Sequence, residues 1–564
     1  MVECRNIAYF SMEIEVNSLI PSYSGGLGVL AGDLLRSFAD MHVPAVGVTL
    51  LPRKGYFFQH LDRDGNQTES PMNWNPEDLL KLEDKEVTVP IGERELYVRA
   101  WRYDLKETGD WVIPVYFLDT DFEKNPQDMR EIGYYLYGGD EKYRLSQEIV
   151  LGIGGVRMLS ALGHNICIYH MNEGHTALLT LELLKRYDAS IKDESRVNEM
   201  KERCVFTTHT PVPAGHDVFP KALVKELLGR YLDDATIDFI CTNGSNDKLN
   251  MTLLALRFSH YVNGVAKKHG EISRSMFPEY PIDSITNGVR HQFWVSKHMS
   301  GLFDKHIIGW RTEPSLLRAA IILPEKEVLR AHFLAKKDLI NLANRTMNAG
   351  MDYHTFTIGF ARRFTKYKRP TLILQDIERL RALGKGKLQI IFAGKAHPKD
   401  TEGKECIKKV FTAMRSLGDE VKITFLENYD VNLASLMVSG CDLWLNTPKA
   451  PYEASGTSGM KAALNGVPSL SSLDGWWLEG HIEGVTGWSI GRQAEEGREV
   501  SDDEDARDLY DKLEKVIMPI FYSEKDRWAK TMKYCIGING VHFNSYRMVN
   551  QYLAKAYGFG EEST

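Results

Sequence analysis

The chain has 564 residues, of which 43% are hydrophobic and 26% are charged, and its formal net charge is −7. This composition excludes a disordered chain, a collagen-like fibre and a coiled-coil rod, and the acidic balance argues against a nucleic-acid-coating protein. Because single hydrophobic cores stop growing near roughly 250–300 residues, the length predicts two domains.

The N-terminus has no apolar core typical of a signal peptide, because Glu3, Arg5 and Glu13 interrupt it. The most apolar helical stretch, around 149–162, is too short to span a bilayer. We therefore expect a cytoplasmic protein without a membrane partner. The cysteines are scattered without a CxxC pair, so we expect reduced thiols and neither a disulfide framework nor a zinc site. No spacing typical of metal ligands occurs, and no metal is predicted.

Short apolar runs that end in polar or small residues alternate with helical patterns, which predicts parallel α/β architecture. In the first half, strands are predicted at 45–51, 165–172 and 204–210. A charged helical region, roughly 294–351, follows them. In the second half, strands are predicted in the segments HTFTIGFARR, KLQIIFAGKAH, VKITFLENYD and CDLWLNTP.

This pattern predicts two Rossmann-like, doubly wound domains that face each other across a cleft. We place the domains at residues 1–295 and 296–564. The last segment, from about 511 to 558, has a helical pattern that would allow it to pack back on the first domain. Ligands of such folds bind beyond the carboxyl ends of the parallel strands.

The first candidate site is a glycine loop, Ser24-Gly25-Gly26-Leu27-Gly28, at the start of a predicted helix. Such a loop offers backbone amides and the positive end of the helix dipole to an anion. It is not a GxGxxG fingerprint, and a purely structural turn is an equal alternative.

The second candidate site is a basic block that follows the predicted strand 355–360. Its position at a strand end favours a phosphate or carboxylate site over a solvated basic loop. The block contains the cations Arg362, Arg363, Lys366, Lys368 and Arg369.

The third candidate site is the segment EASGTSGMKAALNG, residues 453–466. Its small residues form a loop whose hydroxyls and amides suit a helix cap and a bound phosphate, with Lys461 in the first turns of that helix. The P-loop spacing is absent because there is no GK[ST]. Lys461 is either a salt-bridging residue or a Schiff-base former, and spacing alone does not choose between these roles.

Six segments, in this order, resemble the α-glucan (glycogen, starch, maltodextrin) phosphorylase family in a short form: GGLG, TTHT, ITNGV, R-R-x-x-x-Y-K-R, FLENYDVNLA and EASGTSGMKAALNG. The last is the most specific, because it is similar to the family's pyridoxal-phosphate lysine segment. The resemblance extends from YFSMEIE to at least DGWWLEG and implies the GT-B glycosyltransferase architecture. It also implies reversible phosphorolysis, in which a terminal α-1,4-linked glucose passes from a glucan to inorganic phosphate and forms α-D-glucose 1-phosphate with retention.

The resemblance implies a role for individual residues. Lys461 would hold pyridoxal 5′-phosphate as an imine. The remaining cofactor contacts would come from Thr457, Ser458, Arg362, Tyr429, Gly25 and Gly26. Arg363 and Lys368 would bind the substrate phosphate, and His209 would place its backbone carbonyl beside the anomeric carbon. The sugar would contact Glu453, Ala454, Ser455, Gly456, Asn287 and Leu27.

Several positions depart from the longer family members. Arg362 stands where they usually carry lysine, Thr365 where histidine is common, and Val29 where arginine follows the glycine loop; Ser458-Gly459 replaces a Gly-Asn pair. These changes affect fine geometry near the phosphates rather than the reaction class. Because the chain begins close to its first core strand, we expect no control through a long N-terminal arm.

Two other functions were weighed. A nucleotide-sugar-dependent glucosyltransferase similar to glycogen synthase would carry a second carboxylate eight residues beyond the glutamate that matches Glu453, where this chain has Lys461. A non-catalytic glucan-binding protein would not need the set of phosphate ligands. We expect no nucleic-acid partner, and the sequence leaves a homo-oligomer open.

Overall fold

A computed structural model of the chain describes residues 6–188, 191–242, 247–493 and 501–558. The strands of the first half are β1 (Ile7–Ser11), β2 (Ala45–Leu50), β3 (Phe58–Leu61), β4 (Gln67–Ser70), β5 (Lys81–Ile91), β6 (Arg94–Lys106), β7 (Val112–Asp119), β8 (Ile168–Asn172), β9 (Cys204–Thr207), β10 (Val218–Pro220), β11 (Lys248–Asn250), β12 (Tyr261–Gly264) and β13 (Asp283–Ser284). Those of the second half are β14 (Phe356–Ala361), β15 (Leu388–Ala393), β16 (Lys422–Leu426), β17 (Leu443–Asn446), β18 (Ser469–Ser472) and β19 (Gly487–Ile490).

Two separate sheets organise the molecule. The first has nine strands in the order β13-β12-β9-β8-β1-β2-β7-β6-β5, and it is parallel from β13 to β7. The long hairpin β5–β6 extends it in antiparallel pairing. The second sheet has six parallel strands in the order β16-β15-β14-β17-β18-β19. The order reverses beside the first strand of each half, as in Rossmann folds, which confirms the predicted fold class.

Helices cover both sheets. They are α1 (Gly26–Asp40), α2 (Gln127–Arg130), α3 (Glu141–Ile149), α4 (Gly155–Ala161), α5 (Leu179–Arg186), α6 (Glu194–Lys201), α7 (Lys221–Leu228), α8 (Asp234–Thr242), α9 (Met251–Arg257), α10 (Lys267–Met276), α11 (His291–Trp294), α12 (Lys297–His306), α13 (Glu325–Met347), α14 (Ile377–Gly384), α15 (Thr401–Leu417), α16 (Val431–Gly440), α17 (Ser458–Leu464), α18 (Trp477–Gly480), α19 (Asp502–Lys512), α20 (Met518–Ser523), α21 (Lys525–Tyr534) and α22 (Ser545–Lys555). Within the described ranges, no helix is both long and apolar enough to cross a membrane.

Shorter helical segments complete the secondary structure. The 3₁₀ turns are Pro76–Asp78, Glu131–Gly133, Gly174–Thr176, Pro213–Gly215, Pro314–Ile322, Lys366–Lys368 and Leu372–Leu374, and the π segments are Val150–Gly154, Leu513–Ile517 and Cys535–Gly540. Every strand predicted from the sequence is present, each somewhat shorter than predicted. The hairpin β5–β6 was missed, because much of it is exposed and it lacks a continuous apolar run.

The end of the chain returns to the first sheet. Met548 and Tyr552 of α22 share a hydrophobic core with Ile7 and Tyr9 of β1. The hydroxyl of Tyr557 lies 2.6 Å from Nδ1 of His170. The last helix therefore closes one face of the sheet that the first strand begins. The domain boundary near residue 295 stays a prediction.

One cysteine departs from the sequence-based expectation. In the part of the chain that the structure describes, five thiols are free: Cys204, Cys241, Cys441 and Cys535, which are buried, and Cys406, which is half-buried. Cys167, in contrast, is disulfide-bonded. The prediction that the thiols are reduced is therefore wrong at Cys167, because scattered cysteines without a recognisable spacing do not reveal which ones fold together.

Candidate active site

Loops at the carboxyl ends of strands from both sheets enclose one cavity of about 1030 Å³. The glycine loop follows β1 and the segment of Glu173 follows β8, so both lie at the point where the strand order of the first sheet reverses. The basic block follows β14 and the segment of Glu453 follows β17, at the equivalent point of the second sheet. All the residues to which the family resemblance gives a role line this cavity: Gly25, Gly26, Leu27, His209, Asn287, Arg362, Arg363, Lys368, Tyr429, Glu453, Ala454, Ser455, Gly456, Thr457, Ser458 and Lys461.

The glycine loop is anchored by Glu13, which follows β1. Oε2 of Glu13 accepts the backbone N–H groups of Ser24 at 2.5 Å and Gly25 at 3.2 Å. The amide of Gly25 is therefore already paired, and anion binding by the loop stays a prediction for the amides that open α1. A Cβ atom added at Gly26 would meet nothing within 4 Å, whereas one at Gly28 would lie 2.6 Å from Cβ of Tyr23. Gly26 thus leaves the cavity open, and Gly28 permits close packing.

The basic block and the small-residue segment meet at Glu453. Its Oε2 accepts hydrogen bonds from Arg362 at 2.5 Å and from Lys368 at 2.7 Å. Burial alone would raise the pKa of Glu453, but the two cations outweigh burial and lower it to about 2. The backbone N–H of Glu453 is held by Asp474 at 2.8 Å. Burial, and to a lesser degree the charge of Glu453, raises the pKa of Asp474 to about 7.

Two cations of the basic block do not reach the cavity. Lys366 pairs with Glu402 at 2.7 Å on the surface, where the two side chains are 77% and 62% exposed. Arg369 is buried and donates to the carbonyl of Thr447 at 2.9 Å and to Asp505 at 2.7 Å. The hypothesis that the whole block binds an anion is therefore wrong for Lys366 and Arg369, since a strand end fixes the direction of only some of the side chains that follow it.

Lys461 lies in a different electrostatic setting. It belongs to α17, whose N-cap is Thr457, and the Thr457 side chain makes no capping hydrogen bond. Nζ of Lys461 lies 3.8 Å from the centroid of the Trp294 ring. Burial lowers the pKa of Lys461 to about 8, against the opposing charges of Asp33 and Glu15. A lysine in this state releases its proton more readily than an ordinary lysine and is suited to nucleophilic attachment.

The imidazole of His209 is committed to structure. Its Nε2 lies 2.7 Å from Oδ1 of Asn172, and its backbone N–H donates to Glu173 at 2.7 Å. Burial lowers the pKa of His209 to about 3, so the ring is neutral at physiological pH. This arrangement is compatible with the predicted role of the backbone carbonyl, which stays a prediction.

Several buried polar atoms of the cavity lack a hydrogen-bond partner among the described residues. They include Oγ of Ser455, Oδ1 of Asn287 and Nε of Arg362. Because buried polar groups in folded proteins are nearly always paired, such atoms in a cavity wall indicate a site for a polar ligand.

The sequence analysis missed three residues of the cavity region. Glu13, Lys395 and Asp474 each follow the end of a parallel strand, which is the signal that could have found them. Burial lowers the pKa of Lys395 to about 8, and its Nζ donates to the carbonyl of Phe57 at 2.9 Å. Lys395 is thus a half-buried lysine of this cavity whose pKa, like that of Lys461, is lowered.

The fold and this cavity define a two-domain α/β protein with a cationic ligand site at the junction of its halves. A family model described as carbohydrate phosphorylase matches residues 233–520. The maltodextrin phosphorylase of Thermococcus litoralis is 38% identical over 98% of this chain and 70% of its own length. The glycogen phosphorylase of Aquifex aeolicus is 34% identical over 98% of this chain and 86% of its own length.

A further relative is an uncharacterized protein of Methanocaldococcus jannaschii. It is 32% identical over 98% of this chain and 99% of its own length. The family model covers about half of this chain, and the two phosphorylases match 98% of it at 38% and 34% identity. The chain belongs to the carbohydrate phosphorylase family.

Proposed function

We propose that the protein is an α-glucan phosphorylase that uses inorganic phosphate to release terminal α-1,4-linked glucose as α-D-glucose 1-phosphate. Its cofactor is pyridoxal 5′-phosphate, held covalently by Lys461. The observation that carries the proposal is that residues from six distant segments of the sequence line one cavity. The full-length relatives named as maltodextrin and glycogen phosphorylases support the same activity.

The residues of the cavity fit the cofactor. Lys461 presents an amine with a lowered pKa of about 8 on the face of the Trp294 ring. Tyr429 adds a second aromatic wall, and the glycine loop leaves open space beside it. Among the described residues, Nε of Arg362 has no hydrogen-bond partner, and a bound phosphate would provide one. When bound, the cofactor supplies a phosphate group that exchanges a proton with the substrate phosphate.

The cations of the cavity bind and orient the substrate phosphate. Arg363 and Lys368 both line the cavity, Lys368 from the 3₁₀ turn Lys366–Lys368. A phosphate beside another anionic group is repelled strongly at short range, and fixed cations offset this repulsion. The ion pair with Glu453 keeps Lys368 in place without a ligand.

The sugar is recognised by the small-residue segment and by Asn287. Oγ of Ser455 and Oδ1 of Asn287 are buried without partners among the described residues, and a glucose hydroxyl would satisfy each of them. Glu453 is ionised, so it accepts hydrogen bonds from hydroxyls and does not act as a general acid. Leu27 supplies an apolar contact from the first half of the chain.

His209 contributes through its main chain. Since its imidazole is neutral and paired with Asn172, the ring is neither a cation nor a free base. A backbone carbonyl dipole directed at the anomeric carbon stabilises the positive charge that develops there as the glycosidic bond breaks. The leaving oxygen receives its proton from the substrate phosphate, which then attacks the same face, and this gives retention.

The test is to incubate the purified protein with maltodextrin and inorganic phosphate and to assay glucose 1-phosphate. We expect formation of glucose 1-phosphate that depends on added or retained pyridoxal 5′-phosphate. Replacing phosphate by a nucleotide sugar should give no chain extension. Extension from a nucleotide sugar, with no product from phosphate, would overturn the proposal in favour of a synthase-like transferase.

A further inference from the structure

An acidic residue of the first half, Asp33, lies near Lys461 and has no place in the reaction described above. Asp33 belongs to α1, the helix that the glycine loop opens, and only 1% of it is exposed. Its Oδ2 accepts the indole N–H of Trp294 at 2.8 Å and the backbone N–H of Arg290 at 3.2 Å. Its Oδ1 is buried without a hydrogen-bond partner among the described residues.

Trp294 connects Asp33 with Lys461. The face of its ring carries Nζ of Lys461 at 3.8 Å, and the edge of the ring donates to Asp33. On the other side, Nδ2 of Asn465 donates to the carbonyls of both Trp294 at 2.8 Å and Lys461 at 3.0 Å. The ring is therefore held between α1 of one half and α17 of the other, and its orientation fixes the surface on which Nζ rests.

The charges around Lys461 single out Asp33. Of the two carboxylates that act on Lys461, Asp33 contributes more than Glu15. Glu15 lies 2.7 Å from Arg36, which also pairs with Glu107 at 3.1 Å, so the charge of Glu15 is compensated locally. Burial raises the pKa of Asp33, against the charges of Lys461 and then Arg36, and within the described ranges Asp33 forms no salt bridge. The other cations that line the same cavity are Arg144, Arg362, Arg363, Lys368, Lys395 and Lys399.

We propose that Asp33 is a positioning residue for cofactor attachment, which fixes the Trp294 ring under Lys461 and supplies the counter-charge of the Lys461 nitrogen. Its action on the cofactor rests on the proposed function. Its action on Lys461 does not, because the contacts with Trp294 and the charge are properties of the chain itself. Burial favours the neutral amine and Asp33 favours the charged one, so Asp33 sets the fraction of Lys461 that can attack an aldehyde.

The first experiment measures the reactivity of Lys461 against pH in cofactor-free protein, by acetylation with acetic anhydride and peptide mass spectrometry. In the wild type we expect the midpoint at about 8. In Asp33→Asn the side-chain oxygen still accepts from Trp294, but the charge is gone. Since one nearby charge shifts a pKa by about one unit, the midpoint should fall to about 7, and attachment of pyridoxal 5′-phosphate at pH 7 should be about fivefold faster.

Glu107→Gln is the matched control, because it removes a carboxylate of the same buried network that does not act on Lys461. Its acetylation profile should match the wild type. An Asp33→Asn acetylation profile equal to those of the wild type and Glu107→Gln would refute the proposal that Asp33 supplies the counter-charge of Lys461. A merely structural Asp33 would lower the melting temperature without moving the midpoint.

Trp294→Phe tests the other part of the proposal, that Asp33 positions the Trp294 ring. This test does not depend on whether Asp33→Asn folds. This substitution keeps an aromatic ring at position 294 and the charge of Asp33, but it removes the indole N–H. We expect the wild-type acetylation midpoint with roughly tenfold faster loss of bound cofactor, measured as the decay of its absorbance after dilution. Cofactor retention equal to the wild type would contradict positioning through the indole. A wild type that never takes up the cofactor would instead contradict the proposed function, while the acetylation profiles would still test Asp33.

Discussion

The cavity holds buried charge in two contrasting ways on its two walls. At Glu453, two cations meet one carboxylate at hydrogen-bond distance, and the pKa of that carboxyl falls to about 2. Lys461 lies on an aromatic ring, and burial lowers its pKa to about 8. The first arrangement fixes its charges over a wide pH range, which suits binding of anions and hydroxyls. The second yields an amine that can become neutral, which suits a covalent bond.

Removing the amine should have the largest effect. Lys461→Ala is expected to take up no covalently bound cofactor and to lose phosphorolysis, because it removes the amine to which the cofactor is proposed to bind. Cofactor absorbance and glucose 1-phosphate formation measure both. Lys395→Gln is the control for a general effect on the cavity, and it should retain bound cofactor. Full activity of cofactor-free Lys461→Ala would refute the claim that Lys461 serves to form a covalent bond with the cofactor.

Removing the carboxylate of Glu453 should leave Arg362 and Lys368 without their ion-pair partner. Glu453→Gln is expected to lower the free energy of unfolding by about 3–5 kcal/mol, because breaking a buried pair leaves uncompensated charge. Urea denaturation measures the change. Glu402→Gln, which breaks the exposed pair with Lys366, should change the stability by at most about 1 kcal/mol. Equal effects of the two variants would show that the Glu453 wall is no more dependent on its ion pairs than the surface.

Replacing Lys461 should change the free energy of unfolding in the opposite direction. Lys461→Met removes a buried ammonium, so cofactor-free protein should become more stable by about 3 kcal/mol at pH 7. The folded pKa of Lys461 is lowered from 10.5 to about 8, so between these values the unfolded chain binds more protons. Wild-type stability should therefore rise as the pH increases through this window, and Lys461→Met should show a smaller rise, because the contribution of Lys395 remains. Urea titrations at several pH values check both statements.

The anion-binding wall can be tested within its own motif. Arg363→Ala is expected to reduce kcat/KM for phosphate by about tenfold to a hundredfold, the loss of one charge-assisted contact of about 1.5–3 kcal/mol. Lys366→Ala removes a cation of the same block that pairs with Glu402 on the surface, and phosphate kinetics should not change. Equal losses in both variants would mean that net charge, not geometry, attracts the phosphate.

The same motif shows what a sequence can predict. The charge count in residues 362–369 indicated an anion site but did not separate the cavity-facing cations from Lys366 and Arg369. The family resemblance selected Arg362, Arg363 and Lys368, and all three line the cavity. The alternation of apolar runs and helices was enough for two Rossmann-like sheets, because buried parallel strands have a strong local signature.

Contacts between separate segments of the chain could not be predicted from the sequence. Glu13 anchors the glycine loop, and Asp33 accepts a hydrogen bond from Trp294, which lies 261 residues further along the chain. Asp474 holds the backbone of Glu453, and α22 returns to the first strand. None of these pairings has a fixed spacing along the chain, since each depends on how the sheets place the ends of their strands.

The most direct measurement is to reduce the cofactor-loaded protein with borohydride and to locate the pyridoxyl group by peptide mass spectrometry, alongside the phosphorolysis assay. The account predicts one label, on Lys461, in protein that forms glucose 1-phosphate from maltodextrin and phosphate. Lys395 is the informative competitor, because it lines the same cavity with a similarly lowered pKa. A label on Lys395, or full phosphorolysis by unlabelled, cofactor-free protein, would contradict the account.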